Sequence, residues 1–247
     1  KLIHWEKKQI DTEINRHYAG FYLGLTTQTQ AIFSNLAKNI DTLSINSKVE
    51  TDLARDATKI CFLIEDHPGI FSRLTGAIAL SGANVIDART YTTSDGFATS
   101  VFWLQNKEGK PFEENRLNKL NQTINEALKG QIIARDILKE KGKIKKKEKD
   151  FIVPTNITFD NEGSEIHTII EIETRDRLGL LYDLAKTLSD NYISISSAII
   201  ATFGEQAVDT FYVKDLFGLK LHSLSKREKL EHKLKEAIQA GTLIDPY

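Results

Sequence analysis

Two stretches of this chain repeat the same order of residue types, and this duplication constrains the fold more than any other feature. Residues aligned at an offset of 110 include Asp66 with Asp176, Gly69 with Gly179, and Leu74 with Leu184. The offset falls to 109 after a turn, where residues 102–105 align with 211–214. A change of one residue confined to a turn is the kind of deletion that surface loops tolerate. The sequence therefore predicts two copies of one structural unit.

Each copy has the periodicity of a β-α-β-β-α unit. In the first copy, the apolar run at 60–64 predicts a buried strand, and the spacing of apolar residues predicts a helix over 70–78. The stretches 85–91 and 98–104 flank a Ser-Asp-Gly turn signal and predict a hairpin. Apolar residues at helical spacing over 117–128 predict a second helix, and the second copy repeats the whole order.

The fold class predicted from this order is α+β, with two ferredoxin-like βαββαβ domains in tandem. Residues 1–57 are polar with some helical spacing, which predicts a helical tail or connector of an upstream domain. The first domain is expected at 58–165, including a Lys-rich solvated linker at 131–150. The second domain is expected at 166–247. The extended pattern at 151–159 is a candidate for a returning fourth strand of the first domain.

Composition narrows the classes of function. The net charge of −1 over 247 residues gives no chain-wide reason to expect a nucleic-acid partner. No apolar run reaches the length of a membrane span, so we expect a cytoplasmic protein without membrane contact. Cys61 is the only cysteine, which excludes an intrachain disulfide. The chain lacks both methionine and an initiator residue, and we expect it to be a fragment of a longer protein.

The turn between the first strand and the first helix of each copy has the chemistry to hold a ligand. Helix N-termini offer unpaired N–H groups to an anion such as a carboxylate. Gly69 permits close approach to the backbone, and Asp66 can accept an ammonium group. The amide of Asn84 offers both a donor and an acceptor. The predicted ligand-binding residues are Asp66, Pro68, Gly69, Ile70, Asn84, Val85, Asp176, Gly179 and Leu180. The alternative is that Asp66 caps a helix and Gly69 fits a turn.

An Asp-x-Pro-Gly-Ile turn after a strand, followed by a helix and a hairpin, resembles the ACT domain, a family of amino-acid-sensing modules. Residues 79–89 and 209–220 further resemble the C-terminal tandem ACT region of the enzymes that uridylylate and deuridylylate the PII signal protein. Residues 16–25 resemble the stretch that joins the hydrolase domain of those enzymes to their ACT pair.

This resemblance implies a regulatory region that reads glutamine for an enzyme acting on PII. It implies magnesium only for the parent enzyme, and neither catalytic signature of the family occurs in this sequence. We therefore predict no catalytic residues, no metal site and no cofactor in this chain. Copy two departs from the pattern, with Leu178 in place of the proline and Ser194 at the position of Asn84. The resemblance then implies that copy two binds ligand differently or not at all.

Three alternatives remain open at the level of sequence. The chain could be an ACT-type sensor that regulates another enzyme or a transcriptional system, or a purely structural interaction module. An RNA-binding RRM has the same topology, and residues 96–102 faintly resemble its central strand. However, Asp95 stands where that motif needs a basic residue, and Thr99 stands where an aromatic side chain should stack on a base.

Overall fold

The computed structural model describes residues 5–38, 45–129 and 153–240. In chain order the elements are α1 (Lys7–Arg16), α2 (Ala19–Gly24), α3 (Thr27–Lys38), β1 (Asn46–Asp52), β2 (Ala57–Glu65), α4 (Ile70–Leu80), β3 (Asn84–Thr92), β4 (Phe97–Gln105), α5 (Glu114–Leu128), β5 (Asn156–Asp160), β6 (Thr168–Arg175), α6 (Leu180–Asp190), β7 (Ser194–Phe203), β8 (Gln206–Lys214) and α7 (Leu224–Ala240). The predicted linker at 131–150 lies outside the described residues.

The strands form one antiparallel sheet of eight, in the order β1-β2-β4-β3-β7-β8-β6-β5. Apolar side chains from both halves of the sheet pack beneath α4, α5, α6 and α7 in a single hydrophobic cluster. Burial of this cluster is the main favourable contribution to folding. The predicted α+β class, with two ferredoxin-like units in tandem, is confirmed.

The fourth strand of each unit comes from a different place than the sequence predicted. Residues Asn156–Asp160 pair with β6 of the second copy, not with the first copy, so the described part of the candidate stretch 151–159 is not a returning strand of the first domain. In the first copy the corresponding position beside β2 is filled by Asn46–Asp52. Each unit therefore has the order ββαββα, because a hairpin before the first helix supplies the edge strand that βαββαβ would add at the end.

The strand at Asn46–Asp52 lies within the segment 1–57, which the sequence predicts to be mostly helical and outside the two units. Helices α1, α2 and α3 do lie in that segment, but they are followed by β1. The sequence of β1, Asn-Ser-Lys-Val-Glu-Thr-Asp, has one apolar residue, and each of its side chains is at least partly exposed. An edge strand of this kind is fixed by its backbone ladder to β2 and carries little hydrophobic periodicity.

The N-terminal helices cover the other face of the sheet in the first copy. Phe21 and Phe33 pack there against Val101 and Trp103 in a second, smaller cluster. Lys59 projects into this layer from β2, where it forms a salt bridge with Glu50 at 2.6 Å and donates to the Thr29 hydroxyl at 3.3 Å. The layer formed by the N-terminal helices α1, α2 and α3, called the helical layer below, is thus joined to the sheet by both apolar and charged contacts.

No helix among residues 5–38, 45–129 and 153–240 is both long enough and apolar enough to cross a membrane.

Candidate ligand-binding sites

The two predicted turns adopt the same backbone geometry. Gly69 precedes α4 with φ of +86°, and Gly179 precedes α6 with φ of +82°. This left-handed region is accessible to glycine without steric cost, whereas a Cβ atom would be strained there. The chain can therefore turn sharply from the strand into the helix, which leaves the first helical amides facing outward.

Two amides at the start of α4 are available to an anion. The N–H of Ile70 donates to the His67 carbonyl at 3.0 Å, and the N–H of Arg73 donates to the Gly69 carbonyl at 3.0 Å. The amides of Phe71 and Ser72 lie between them, in the first turn of the helix where intrahelical acceptors are lacking. The amide of Ile70, a predicted ligand-binding residue, is therefore already bonded within the turn, and the amides of the two residues that follow it are the ones left to an anion.

Asp66 is held at the same turn with one oxygen engaged. The hydroxyl of Thr92, at the end of β3, donates to Asp66 Oδ2 at 2.7 Å. Burial raises the pKa of the Asp66 carboxyl above its ordinary value, although the Thr92 hydrogen bond and the charge of His67 act in the opposite direction. The carboxyl thus lies in a partly desolvated position, where a cationic partner gains more than it would in water.

Each turn faces residues of the opposite copy. The copy-one turn opens onto a cavity of about 160 Å³ that is also lined by Ala185, Ser189 and residues 193–195 of the second copy. A Cβ on Gly69 would lie 3.0 Å from Ser189 Oγ, so the two copies approach closely at this point. The copy-one cavity, as we call it below, lies between the two units.

This geometry separates the residues that were predicted to act together. Asp66, Pro68, Gly69 and Ile70 line the copy-one cavity. Asn84 and Val85 instead line a second cavity, together with Asp176, Gly179 and Leu180. Asn84 therefore lies at the turn of the other copy, because β3 pairs with β7. Ser194, the counterpart of Asn84, lies in the copy-one cavity instead.

The second cavity, which we call the copy-two cavity, is only about 20 Å³ in volume. Leu178 and Tyr182 pack there against Ala79 and Leu80 of α4. The counterparts of these two residues in copy one are Pro68 and Ser72, which are smaller. Substitution by larger side chains explains why a cavity of roughly one or two water molecules remains at the second turn.

Acidic side chains distinguish the copy-two cavity further. Asp176 and Asp209 both line it. Burial raises the pKa of Asp176 to about 6, against the opposing effect of Arg177. Burial and the neighbouring Asp176 raise the pKa of Asp209 well above its ordinary value. Asp209 was missed as a site residue at the level of sequence, where the stretch 209–220 served only for the family resemblance.

The copy-one turn is also connected to the helical layer. The N–H of Asp66 donates to the Gly96 carbonyl at 2.8 Å in the β3–β4 hairpin. The same hairpin binds the end of α1, since Ser94 N–H donates to the Arg16 carbonyl at 2.9 Å and Arg16 forms a salt bridge with Asp95 at 3.0 Å. The β3–β4 hairpin therefore connects the copy-one turn to the end of α1.

A groove of about 830 Å³ lies on the opposite face of the sheet, between α2 and the strands of the second copy. In the first copy this face is covered by α2 and α3, which bury Val101 and Trp103. The sheet surface that an RRM uses to stack bases is therefore occupied in that copy. Among the described residues, no three His, Cys, Asp or Glu side chains are grouped so that they could hold a metal ion.

Comparison with known proteins supports the resemblance seen in the sequence. Residues 156–244 match a family model described as "ACR9-like, ACT-like domain". A solved structure of aspartate kinase from Synechocystis aligns over 74% of this chain and 27% of that chain, with 15% identity and a TM-score of 0.41. That likeness carries no argument about function.

Curated relatives are similar over nearly the whole chain. The bifunctional uridylyltransferase/uridylyl-removing enzyme of Cereibacter sphaeroides is 53% identical over 240 residues, which covers 97% of this chain and 26% of that protein. The enzyme of the same name from Ruegeria pomeroyi is 53% identical over 244 residues, or 97% of this chain and 27% of that protein. The one from Gluconobacter oxydans is 36% identical, again over 97% of this chain and 26% of that protein.

The chain thus spans about a quarter of the length of the curated relatives it matches. The resemblance drawn from the sequence is confirmed: this chain has an ACT-like fold and is similar, over nearly all its residues, to one part of the bifunctional uridylyltransferase/uridylyl-removing enzymes.

Proposed function

We propose that this chain is the amino-acid-sensing regulatory region of an enzyme that adds uridylyl groups to the PII signal protein and removes them. The ligand that we propose is glutamine. The observation that carries the proposal is the copy-one cavity, where a partly buried carboxyl and two helix amides share one turn. The similarity to the uridylyltransferase/uridylyl-removing enzymes supports the parent activity. A cytoplasmic location belongs to the same proposal.

The proposed pose follows from the chemistry of the turn. The α-carboxylate accepts from the N–H groups of Phe71 and Ser72, where the positive end of the helix dipole favours an anion. The α-ammonium group donates to the Asp66 carboxyl, which also accepts from the Thr92 hydroxyl and from the backbone of His67. The side-chain amide extends toward Ser194 of the second copy, which lines the same cavity. A zwitterionic amino acid therefore meets a partner of opposite charge at each end.

Regulation follows from the position of the cavity between the copies. A ligand there binds the turn of one copy and the α6–β7 region of the other, so it favours arrangements in which the two are close. The link from Asp66 through the β3–β4 hairpin to Arg16 gives the occupied turn a contact with α1. We propose that this contact carries the signal toward the rest of the enzyme. Catalysis by this chain is no part of the proposal.

Calorimetric titration of the chain with a panel of amino acids tests the proposal. Glutamine should bind more tightly than glutamate, because the described lining of this partly buried cavity contains no Lys or Arg that could pair with a second carboxylate. Asp66→Asn should weaken glutamine binding by about ten- to a hundredfold, the usual effect of losing a charge-assisted hydrogen bond. Asp176→Asn should have less effect.

Asp190→Asn is the matched control, since Asp190 is an exposed carboxylate paired with Lys186 on α6. Equal binding by the parent and Asp66→Asn would place the ligand elsewhere and leave Asp66 as a residue that only holds the turn through its hydrogen bond with Thr92. It is not a helix cap, because α4 begins after Gly69 without a side-chain capping hydrogen bond. A clear preference for another amino acid would favour the alternative, in which an ACT-type sensor regulates a different system.

A further inference from the structure

Asp209 is buried at the centre of the sheet with an unsatisfied oxygen. It lies on β8 between β6 and β7, and 1% of its surface is exposed. Its Oδ1 atom has no hydrogen-bond partner in the described part of the chain. A buried polar atom without a partner is costly and uncommon in native proteins, so its persistence indicates that something else satisfies it.

The repeat shows that the fold does not require a carboxyl at this position. The counterpart of Asp209 in copy one is Ser100, at the offset of 109 that applies after the hairpin turn. Ser100 is satisfied within the sheet by a hydrogen bond of 2.7 Å with Thr90. In copy two the counterpart of Thr90 is Ile200, which lies across the ladder from Asp209 and offers no hydroxyl. The buried carboxyl is therefore specific to copy two.

The unsatisfied carboxyl faces a second one across the copy-two cavity. Asp176 and Asp209 both line this space of about 20 Å³, which is large enough for one water-sized occupant. Two ionised carboxylates here would repel each other, and although Asp176 accepts a hydrogen bond from the Arg177 backbone, neither carboxylate can donate to the other. An occupant with positive charge and N–H donors would satisfy both groups together.

We propose that Asp176 and Asp209 hold an ammonium-type cation, either free ammonium or the terminal group of a primary amine. Calcium and magnesium need about six or more oxygen ligands, which two carboxyls and their neighbours do not supply. Among the described residues, no larger group of metal-binding side chains surrounds them. Asn84 and Thr202 also line the cavity and can accept the remaining N–H groups.

One cationic side chain, Arg177, follows Asp176 directly and also lines the copy-two cavity. Its guanidinium forms a salt bridge with Asp183 at 2.6 Å and donates to the Ala237 carbonyl at 3.2 Å, whereas its buried Nε atom has no hydrogen-bond partner in the described part of the chain. It therefore lowers the pKa of Asp176 without satisfying Asp209. Without a bound cation, Asp176 and Asp209 stay protonated to a higher pH than ordinary carboxyls do. Binding of the cation near neutral pH consequently releases a proton to the buffer.

The test is titration of the whole 247-residue chain with ammonium, methylammonium and potassium chlorides at constant ionic strength. The measurements are the ¹³C shift of the Asp209 carboxyl and the binding heat in two buffers of different ionisation enthalpy. We expect saturable binding of a nitrogen cation with proton release, and at least about tenfold weaker binding in Asp209→Asn. Asp209→Ser, which restores the residue found in copy one, guards against a folding defect in the first variant. Asp190→Asn should leave binding unchanged.

Binding of ammonium alone would assign the site to the free ion, and binding of methylammonium as well would assign it to primary amines. An equal response to potassium, an unaltered response in both Asp209 variants, or no saturable shift at all would overturn the proposal. Glutamine titrated into the same proteins reads the copy-one cavity through Asp66. The two titrations therefore test the two proposals separately, and either proposal can fail while the other holds.

Discussion

Arg89 lies directly across the β3–β7 ladder from Ile199, which is its own counterpart in the second copy. A residue that pairs with its own counterpart marks a local two-fold axis between the units, as in a symmetric dimer interface. The axis explains why each turn faces the equivalent helix and strand of the opposite copy. It also makes each copy a matched control for the other, because differences between the two cavities come from individual residues.

Gly69→Ala should weaken both the fold and ligand binding. The alanine Cβ would be strained at a φ of +86° and would lie 3.0 Å from Ser189 Oγ across the copy-one cavity. We expect a loss of about 1–2 kcal/mol in the free energy of unfolding, measured in urea, together with weaker glutamine binding. Gly109→Ala is the control, because Gly109 also has a positive φ but a Cβ there meets nothing within 4 Å. If both variants bind glutamine equally, the close approach at Gly69 has no role in the site.

Gly24→Ala should weaken the packing of the helical layer against the sheet and so lower the stability of the fold. A Cβ at Gly24 would collide with the Tyr91 hydroxyl, whereas a Cβ at Gly20 would make an ordinary contact of 3.7 Å with the same ring. Overpacking of this kind costs about 1–3 kcal/mol. Thermal unfolding should show Gly24→Ala as destabilised, Gly20→Ala as near neutral, and Gly24→Ala with Tyr91→Phe as partly restored. Equal melting temperatures for the two alanine variants would contradict the packing described here.

The sequence predicted the helices and central strands well because their apolar spacing is strong. Residues 70–78 and 98–104, for example, lie within α4 and β4 as predicted. It failed at the edge strands, since β1 is held by backbone hydrogen bonds and has almost no apolar pattern. The repeat itself, which is a comparison of the chain with itself, identified both turns correctly as counterparts.

The composition of each site could not be predicted, because it depends on how the copies pair. Asn84 follows the Asp66 turn in sequence, yet the β3–β7 ladder carries it to the Asp176 turn. No local pattern in either copy specifies that ladder. The packing of Tyr182 into the copy-two cavity could not be predicted either. Its contacts are with the other copy, and the sequence of its own helix does not specify them.

Stability should depend on pH through the buried pair in the copy-two cavity. The native pKa of Asp176 is raised to about 6, so its contribution is fully present below its unfolded pKa of about 4 and is lost as pH rises through 6. Relative to the parent, Asp176→Asn should therefore gain up to about 3 kcal/mol between pH 4 and pH 8. Urea unfolding in buffers free of ammonium measures this difference. A constant difference across that range would show that the carboxyl titrates normally.

Opening the second cavity should create a second amino-acid site. Leu178→Pro combined with Tyr182→Ser gives copy two the residues that copy one has at Pro68 and Ser72, and it removes the side chains packed on Ala79 and Leu80. The Asp176 carboxyl and the amides at the start of α6 would then be reachable, with Asn84 opposite them. Calorimetry should show the number of glutamine molecules bound per chain rising from one to two. Adding Asp66→Asn to the double variant should return that number to one, because only the copy-two cavity would then bind tightly. If the stoichiometry stays at one in the double variant and falls to zero with Asp66→Asn, side-chain filling is not what closes the copy-two cavity.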